Sequence, residues 1–240
     1  MTRTEATSLA GDIARRFEAV QERIEAACAR AGRSASSVSL VAVSKRQPLE
    51  RLRAAIEYGH TVFGESRVQE AADKIPHLGD GLEWHFIGPL QSNKVKTAAP
   101  LFHSFHSVDR AKVARRLDRE AASLGRRLRV FVQVNVGEEE AKHGFPPGDG
   151  FERAVRPLIA LEGLEIVGLM TIPPYENDPE DARRWFRELA RLRDRAGTWP
   201  EWRGFEGRLS MGMSHDFEVA IDEGATDVRV GTDLFGPRPS

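Results

Sequence analysis

The chain has 240 residues, and its 35 Lys and Arg nearly cancel its 36 Asp and Glu, so no global charge marks it for nucleic acid or an anionic membrane surface. Its one cysteine, Cys28, excludes an internal disulfide and fits a reducing compartment. No apolar run reaches the roughly 18 residues of a membrane span and no cleavable signal opens the chain, so the expected location is the cytoplasm.

In chain order, Ile13, Phe17, Val20, Ile24 and Ala27 recur at helical spacing, which predicts an amphipathic helix over 5–31 that Gly32 ends. The apolar run from Val38 to Val43 is a strand, and Leu49, Leu52 and Ile56 mark a helix over 48–58. A second strand spans 61–63, a helix 65–75, a third strand 82–87, a short helix 91–96 and a fourth strand 101–107. Val113, Leu117, Ala121 and Leu124 form the next helix. Val130 to Val136, apolar almost throughout, reads as a strand covered on both faces. A polar loop over 137–150 precedes a helix over 151–161, a sixth strand over 164–170 and a helix over 181–195. After a loop carrying Trp199 and Trp202, a short seventh strand ends at Leu209-Ser210, a helix spans 217–222, and Val228 to Val230 is the eighth strand.

Eight strands, each but the last followed by a helix, is the count of a (β/α)8 TIM barrel, and the expectation is a single domain over 1–240 with an extra N-terminal helix and the barrel over 38–238. A doubly wound open sheet competes, but no Gly-rich dinucleotide fingerprint follows the first strand.

In such a barrel the chemistry sits at the carboxyl ends of the strands. Lys45 stands there, one of only six lysines against twenty-nine arginines. Beside a dry core an ammonium is disfavoured and a neutral amine can attack a carbonyl; the bland reading is a solvated lysine capping a strand. The loops after strands seven and eight, Ser210-Met211-Gly212-Met213-Ser214 and Arg229-Val230-Gly231-Thr232, offer small residues, N–H donors and hydroxyls suited to phosphate, or else simply turn the chain. A Schiff-base lysine facing a phosphate cradle describes pyridoxal 5′-phosphate (PLP).

The segments Ala42-Val43-Ser44-Lys45, Phe63-Gly64-Glu65, Trp84-His85-Phe86-Ile87-Gly88-Pro89-Leu90-Gln91-Ser92-Asn93-Lys94, His106-Ser107-Val108-Asp109, Ser210-Met211-Gly212-Met213-Ser214 and Arg229-Val230-Gly231-Thr232 closely resemble the PLP homeostasis protein family, also called PROSC or YggS. The resemblance implies a barrel of the alanine-racemase type that holds PLP covalently and maintains supply of the vitamin B6 cofactor. It implies Lys45 as the Schiff-base lysine, Ser210, Gly231 and Thr232 as phosphate anchors, and Arg229 beside the pyridine nitrogen. A donor-only guanidinium keeps that nitrogen unprotonated, which suits holding PLP more than driving carbanion chemistry. The chain departs from the family by carrying Ser66 where Asn is usual, and no role is assigned to it.

His85, inside an apolar strand, is either a second site group or a satisfied core histidine. His103 and His106 point to opposite faces of a strand and cannot share a metal. The arginine runs at 115–116, 126–129 and 183–195 read as solvated helix faces. The expected function is therefore a PLP carrier with little turnover, acting as a monomer, with PLP-dependent apoenzymes as recipients. A PLP-dependent amino-acid racemase and a cofactor-free aldolase using Lys45 are the enzymatic alternatives. A racemase needs a second base; the chain ends shortly after Thr232 with no room for a further domain to supply one, and Tyr175 is the one tyrosine on the active-site side.

Overall fold

The computed structural model describes residues 3–139, 142–202 and 204–237. The barrel strands are β1 (Ser39–Val43), β2 (Val62–Glu65), β3 (Glu83–Phe86), β4 (Ser104–Val108), β5 (Leu128–Gln133), β6 (Leu164–Met170), β7 (Arg208–Met213) and β8 (Asp227–Val230). Among the described residues these eight strands pair in parallel in sequence order, and β8 returns to β1 to close the barrel. Their outer faces pack on α2 (Leu49–Glu57), α3 (Val68–Lys74), α4 (Val95–Ala98), α5 (Ala111–Leu124), α6 (Gly148–Val155), α7 (Arg183–Ala196) and α8 (Phe217–Asp222), and α9 (Thr232–Phe235) follows β8. The alternation read from periodicity is thus a closed barrel, because strands buried on both faces and linked by amphipathic helices leave no sheet edge to cover.

The N-terminal helix, α1 (Arg3–Arg30), buries Ile13, Phe17, Val20, Ile24 and Ala27 against α2, α8 and α9. Arg23 fastens it by donating to Glu218 and Asp233, each at 2.6 Å. No helix of the described residues is long and apolar enough to cross a membrane.

Several boundaries differ from the sequence reading, and three of them have a clear local reason. β2 continues through Gly64 to Glu65, because Ser44 N–H donates to Gly64 O and Ile87 N–H to Glu65 O and so extends the ladder. The helix after the polar loop begins at Gly148 and gives way to a 3-10 turn over Arg156–Ala160, where Pro157 has no N–H for the α-helical ladder. β7 runs on to Met213 through a bulge opposite β8, where Gly212 takes φ +90° and a Cβ would come within 2.7 Å of the Ala220 Cβ. The expected end of the barrel at 238 lies outside the described residues.

The main apolar core lies between sheet and helices, and inside the barrel Phe131, Val167 and Met170 form a separate small cluster. The rest of the interior is polar, with Ser44, Glu65, His85, His106, Ser210, Asp227 and Arg229 all buried. Burying so many polar groups is unfavourable unless they bond one another.

Candidate functional site

Lys45 sits two residues beyond β1, at the carboxyl end of the barrel. Its turn is gripped on both sides. Lys74, projecting from α3, donates to Ser44 O at 2.9 Å, to Glu65 at 3.0 Å and to Glu70 at 2.6 Å, and Glu70 accepts the main-chain N–H of Arg46. Arg46 itself is in the left-handed region at φ +59°, a conformation that costs about 1 kcal/mol or more for a side chain of its kind and that this network holds in place. Ser44 Oγ donates to Glu65 at 2.8 Å. Burial pushes the Glu65 carboxyl up, with Lys74 opposing it, and one of its oxygens has no hydrogen-bond partner. Glu65, Glu70 and Lys74 were given no role from the sequence, because ending β2 at Phe63 put Glu65 at the start of a helix.

Lys45, Arg229, Gly231 and Thr232 line one cavity of about 420 Å³, together with Ser214 and Tyr175. At one end Gly231 N–H donates to Ser214 Oγ at 3.4 Å, and Thr232 opens α9. A Cβ on Gly231 would lie 3.3 Å from the Val43 Cβ and 3.4 Å from the Val43 carbonyl oxygen, so the bare backbone lets β8 pass close to the end of β1. Arg229 is 4% exposed and donates to Ser210 Oγ at 2.6 Å and to Thr171 O at 2.9 Å. Burial pushes its guanidinium down to about 10, still protonated at neutral pH.

Ser210, expected to anchor phosphate, is not among the residues that line the cavity of Lys45, Arg229, Gly231 and Thr232. Ser210 lies within β7, fully buried, with its hydroxyl between Arg229 and His106. The bulge at Gly212 carries the strand three residues further than expected and brings Ser214, the second serine of the segment, to the cavity wall.

Tyr175 is 77% exposed and stacks on His215 at 5.5 Å. Beside the cavity an adjoining groove of about 680 Å³ also reaches Lys45 and carries Ser66, Arg67, Lys94 and Arg110. Ser66 packs against Gly88, where a Cβ would be 2.3 Å from the Ser66 carbonyl. His103 and His106 do point apart: His103 accepts the Trp84 N–H, whereas His106 turns into the barrel toward His85. In the run at 126–129, Arg126 and Arg127 cap backbone carbonyls of Phe102 and Leu164, which a reading as purely solvated charge overlooked.

The family model described as alanine racemase, N-terminal domain, matches residues 16–239. The pyridoxal phosphate homeostasis protein of Aquifex aeolicus is 46% identical over 224 residues, 93% of this chain and 97% of that protein. That of Escherichia coli K12 is 40% identical over 235 residues, 95% of this chain and 97% of that protein. Among solved structures, PipY of Synechococcus elongatus with PLP bound is similar at a TM-score of 0.78 and 36% identity, covering 93% of this chain and 100% of that one. An alanine racemase of Clostridium difficile, at 16% identity and a TM-score of 0.67, is similar in fold alone; the match covers 91% of this chain and 56% of that one.

Proposed function

Because the chain belongs to the pyridoxal phosphate homeostasis protein family, we propose that it binds PLP at the carboxyl end of the barrel and serves intracellular supply of that cofactor, with little or no turnover of its own. When bound, PLP supplies an aldehyde that condenses with a lysine amine and a ring that can withdraw electrons.

The observation that carries the reading is the shared cavity. Its lining brings together an amine, a set of small N–H and hydroxyl donors, and a buried guanidinium. Those three features fit an aldehyde, a phosphate and a pyridine nitrogen on one small aromatic molecule, and a cavity of about 420 Å³ is of a size to take it. Lys45 would hold the aldehyde carbon, Ser214, Gly231 and Thr232 the phosphate, and Arg229 the ring nitrogen.

Arg229 favours holding over turnover. It can only donate, so a pyridine nitrogen meeting it stays an unprotonated acceptor and the ring is a weaker electron sink. PLP-dependent apoenzymes are the recipients this role implies, and the protein would act as a monomer.

The experiment is transfer. Protein loaded with PLP and freed of excess cofactor is mixed with a PLP-dependent apoenzyme, and recovery of that enzyme's activity is followed. Recovery supports the carrier reading. Failure to restore the apoenzyme, together with rapid interconversion of amino-acid enantiomers by the loaded protein, would contradict it.

A further inference from the structure

A chain of hydrogen-bonded side chains runs through the interior of the barrel. Arg229 Nη1 on β8 donates to Ser210 Oγ on β7 at 2.6 Å, and Ser210 Oγ lies 2.7 Å from Nδ1 of His106 on β4. His106 Nε2 is 3.0 Å from Nδ1 of His85 on β3, and His85 Nε2 is 2.9 Å from Glu83 Oε1 on the same strand. Arg229, Ser210, His106 and His85 are all buried. The last link, Glu83, has a half-exposed side chain and borders a cavity of about 640 Å³ at the amino-terminal mouth, the end of the barrel away from Lys45.

The two ends fix the direction of every bond between them. A guanidinium only donates, and a carboxylate only accepts. Ser210 Oγ accepts from Arg229, so its own proton goes to its other partner, Nδ1 of His106. His106 must then carry its proton on Nε2 and give it to His85 Nδ1. His85 in turn carries its proton on Nε2 and gives it to Glu83. Reversing the chain would leave the buried Ser210 hydroxyl without an acceptor and aim a histidine lone pair at a carboxylate. Both faults are costly where no water screens them.

We propose that His106, His85 and Glu83 are positioning residues for Arg229, holding it through Ser210 in a one-way hydrogen-bonded chain that couples the ring end of the cofactor cavity to a carboxylate at the opposite mouth of the barrel. Each bond in the chain has its donor on the guanidinium side and its acceptor on the Glu83 side, so the dipoles add and hold Arg229 in place, beside the Asp216 and Asp227 charges that favour its protonated form. A change at Glu83 is therefore felt at the ring nitrogen and not at the phosphate end. The inference rests on the assignment of Arg229 to the ring end, but its first test does not need the cofactor.

That test is the tautomer of each histidine, read from two-bond ¹H–¹⁵N correlation spectra of the ligand-free protein at neutral pH and assigned with His85→Gln and His106→Asn. Both histidines should carry the proton on Nε2. A proton on Nδ1 of either would overturn the inference while leaving PLP binding at Lys45 untouched.

The second test is PLP affinity with the absorption maximum of the bound cofactor. His106→Phe should weaken PLP about tenfold and shift the maximum, as expected when a charge-assisted hydrogen bond loses its support. His106→Asn, whose amide oxygen can still accept from Ser210, should recover part of both effects. Glu83→Gln keeps the hydrogen bond and removes the charge, and should weaken PLP about threefold, as expected for the loss of a half-exposed charge at the end of the chain. Unchanged affinity and an unchanged maximum in His106→Phe and Glu83→Gln would overturn it.

Discussion

Lys74 donates its ammonium to the main-chain carbonyl of Ser44, the residue before Lys45, at 2.9 Å. The same ammonium holds Glu70, which accepts the main-chain N–H of the residue after it, Arg46. The turn that presents Lys45 is thus fastened through the backbone on both sides.

Removing that clamp should be expensive. Lys74→Met leaves the fully buried Glu65 carboxylate without its cation, and breaking a buried pair from one side costs about 3–5 kcal/mol. Adding Glu65→Gln should recover much of the loss, because the uncompensated charge is then gone while Ser44 keeps an acceptor. Denaturant unfolding of the single and double variants measures this; equal stability of the two would show that the charge pair is not what holds the turn.

The phosphate end and the ring end should separate under mutation. Thr232→Val and Ser214→Ala should each weaken PLP more than pyridoxal, since one charge-assisted hydrogen bond to phosphate is worth roughly 1.5–3 kcal/mol. Ser210→Ala, whose hydroxyl contacts Arg229, should weaken both ligands alike. Titrations of each variant with the two ligands distinguish these patterns, and a phosphate-selective loss in Ser210→Ala would place that residue in the cradle.

Acid should destabilise the fold in a window set by the histidines. Burial, with the positive charges of Arg229 and Arg208 nearby, holds His106 well below the ordinary histidine value of about 6.5, and burial also lowers His60. Both are neutral in the folded protein and protonate when unfolded. Their contribution is therefore fully present above pH 6.5 and is lost as the pH falls from there toward the folded values, at up to about 1.4 kcal/mol per pH unit for each group. Unfolding free energies measured from pH 7 to pH 5 should show this slope, and His106→Asn should make it shallower.

Turnover should be feeble. Two-base racemisation needs a second proton-transfer group facing Lys45 across the cofactor, and the nearest tyrosine, Tyr175, is 77% exposed on a loop and stacked on His215. Interconversion of alanine or serine enantiomers should stay far below the usual enzymatic range of about 1–1,000 per second. A rate inside that range, abolished by Tyr175→Phe, would move the protein to the racemases.

Much of this was legible in the sequence. Alternating apolar runs and amphipathic helices specify a barrel because each strand must be covered on both faces, and the abrupt end of Val41-Ala42-Val43 put Lys45 at the correct mouth. Which serine of the segment Ser210 to Ser214 faces the cavity was hidden by the β7 bulge: a one-residue insertion opposite β8 changes where a strand ends, and nothing in hydrophobic pattern marks it beyond the glycine at 212. Glu65, Glu70 and Lys74 were hidden for a related reason, a strand end set two residues too early. The axial chain was hidden because His85 and His106 sit among apolar neighbours, where periodicity sees only a buried strand and the partner across the barrel is set by tertiary closure.

Trapping the cofactor tests the central claim most directly. The purified protein is loaded with PLP and reduced with borohydride, which makes a lysine–pyridoxyl bond permanent, and the digest is mapped by mass spectrometry. The pyridoxyl mass should fall on the peptide containing Lys45, and Lys45→Ala should fold normally yet take up no label. Label found instead on Lys94, which lines the adjoining groove, or on Lys142, or undiminished labelling of Lys45→Ala, would contradict the account.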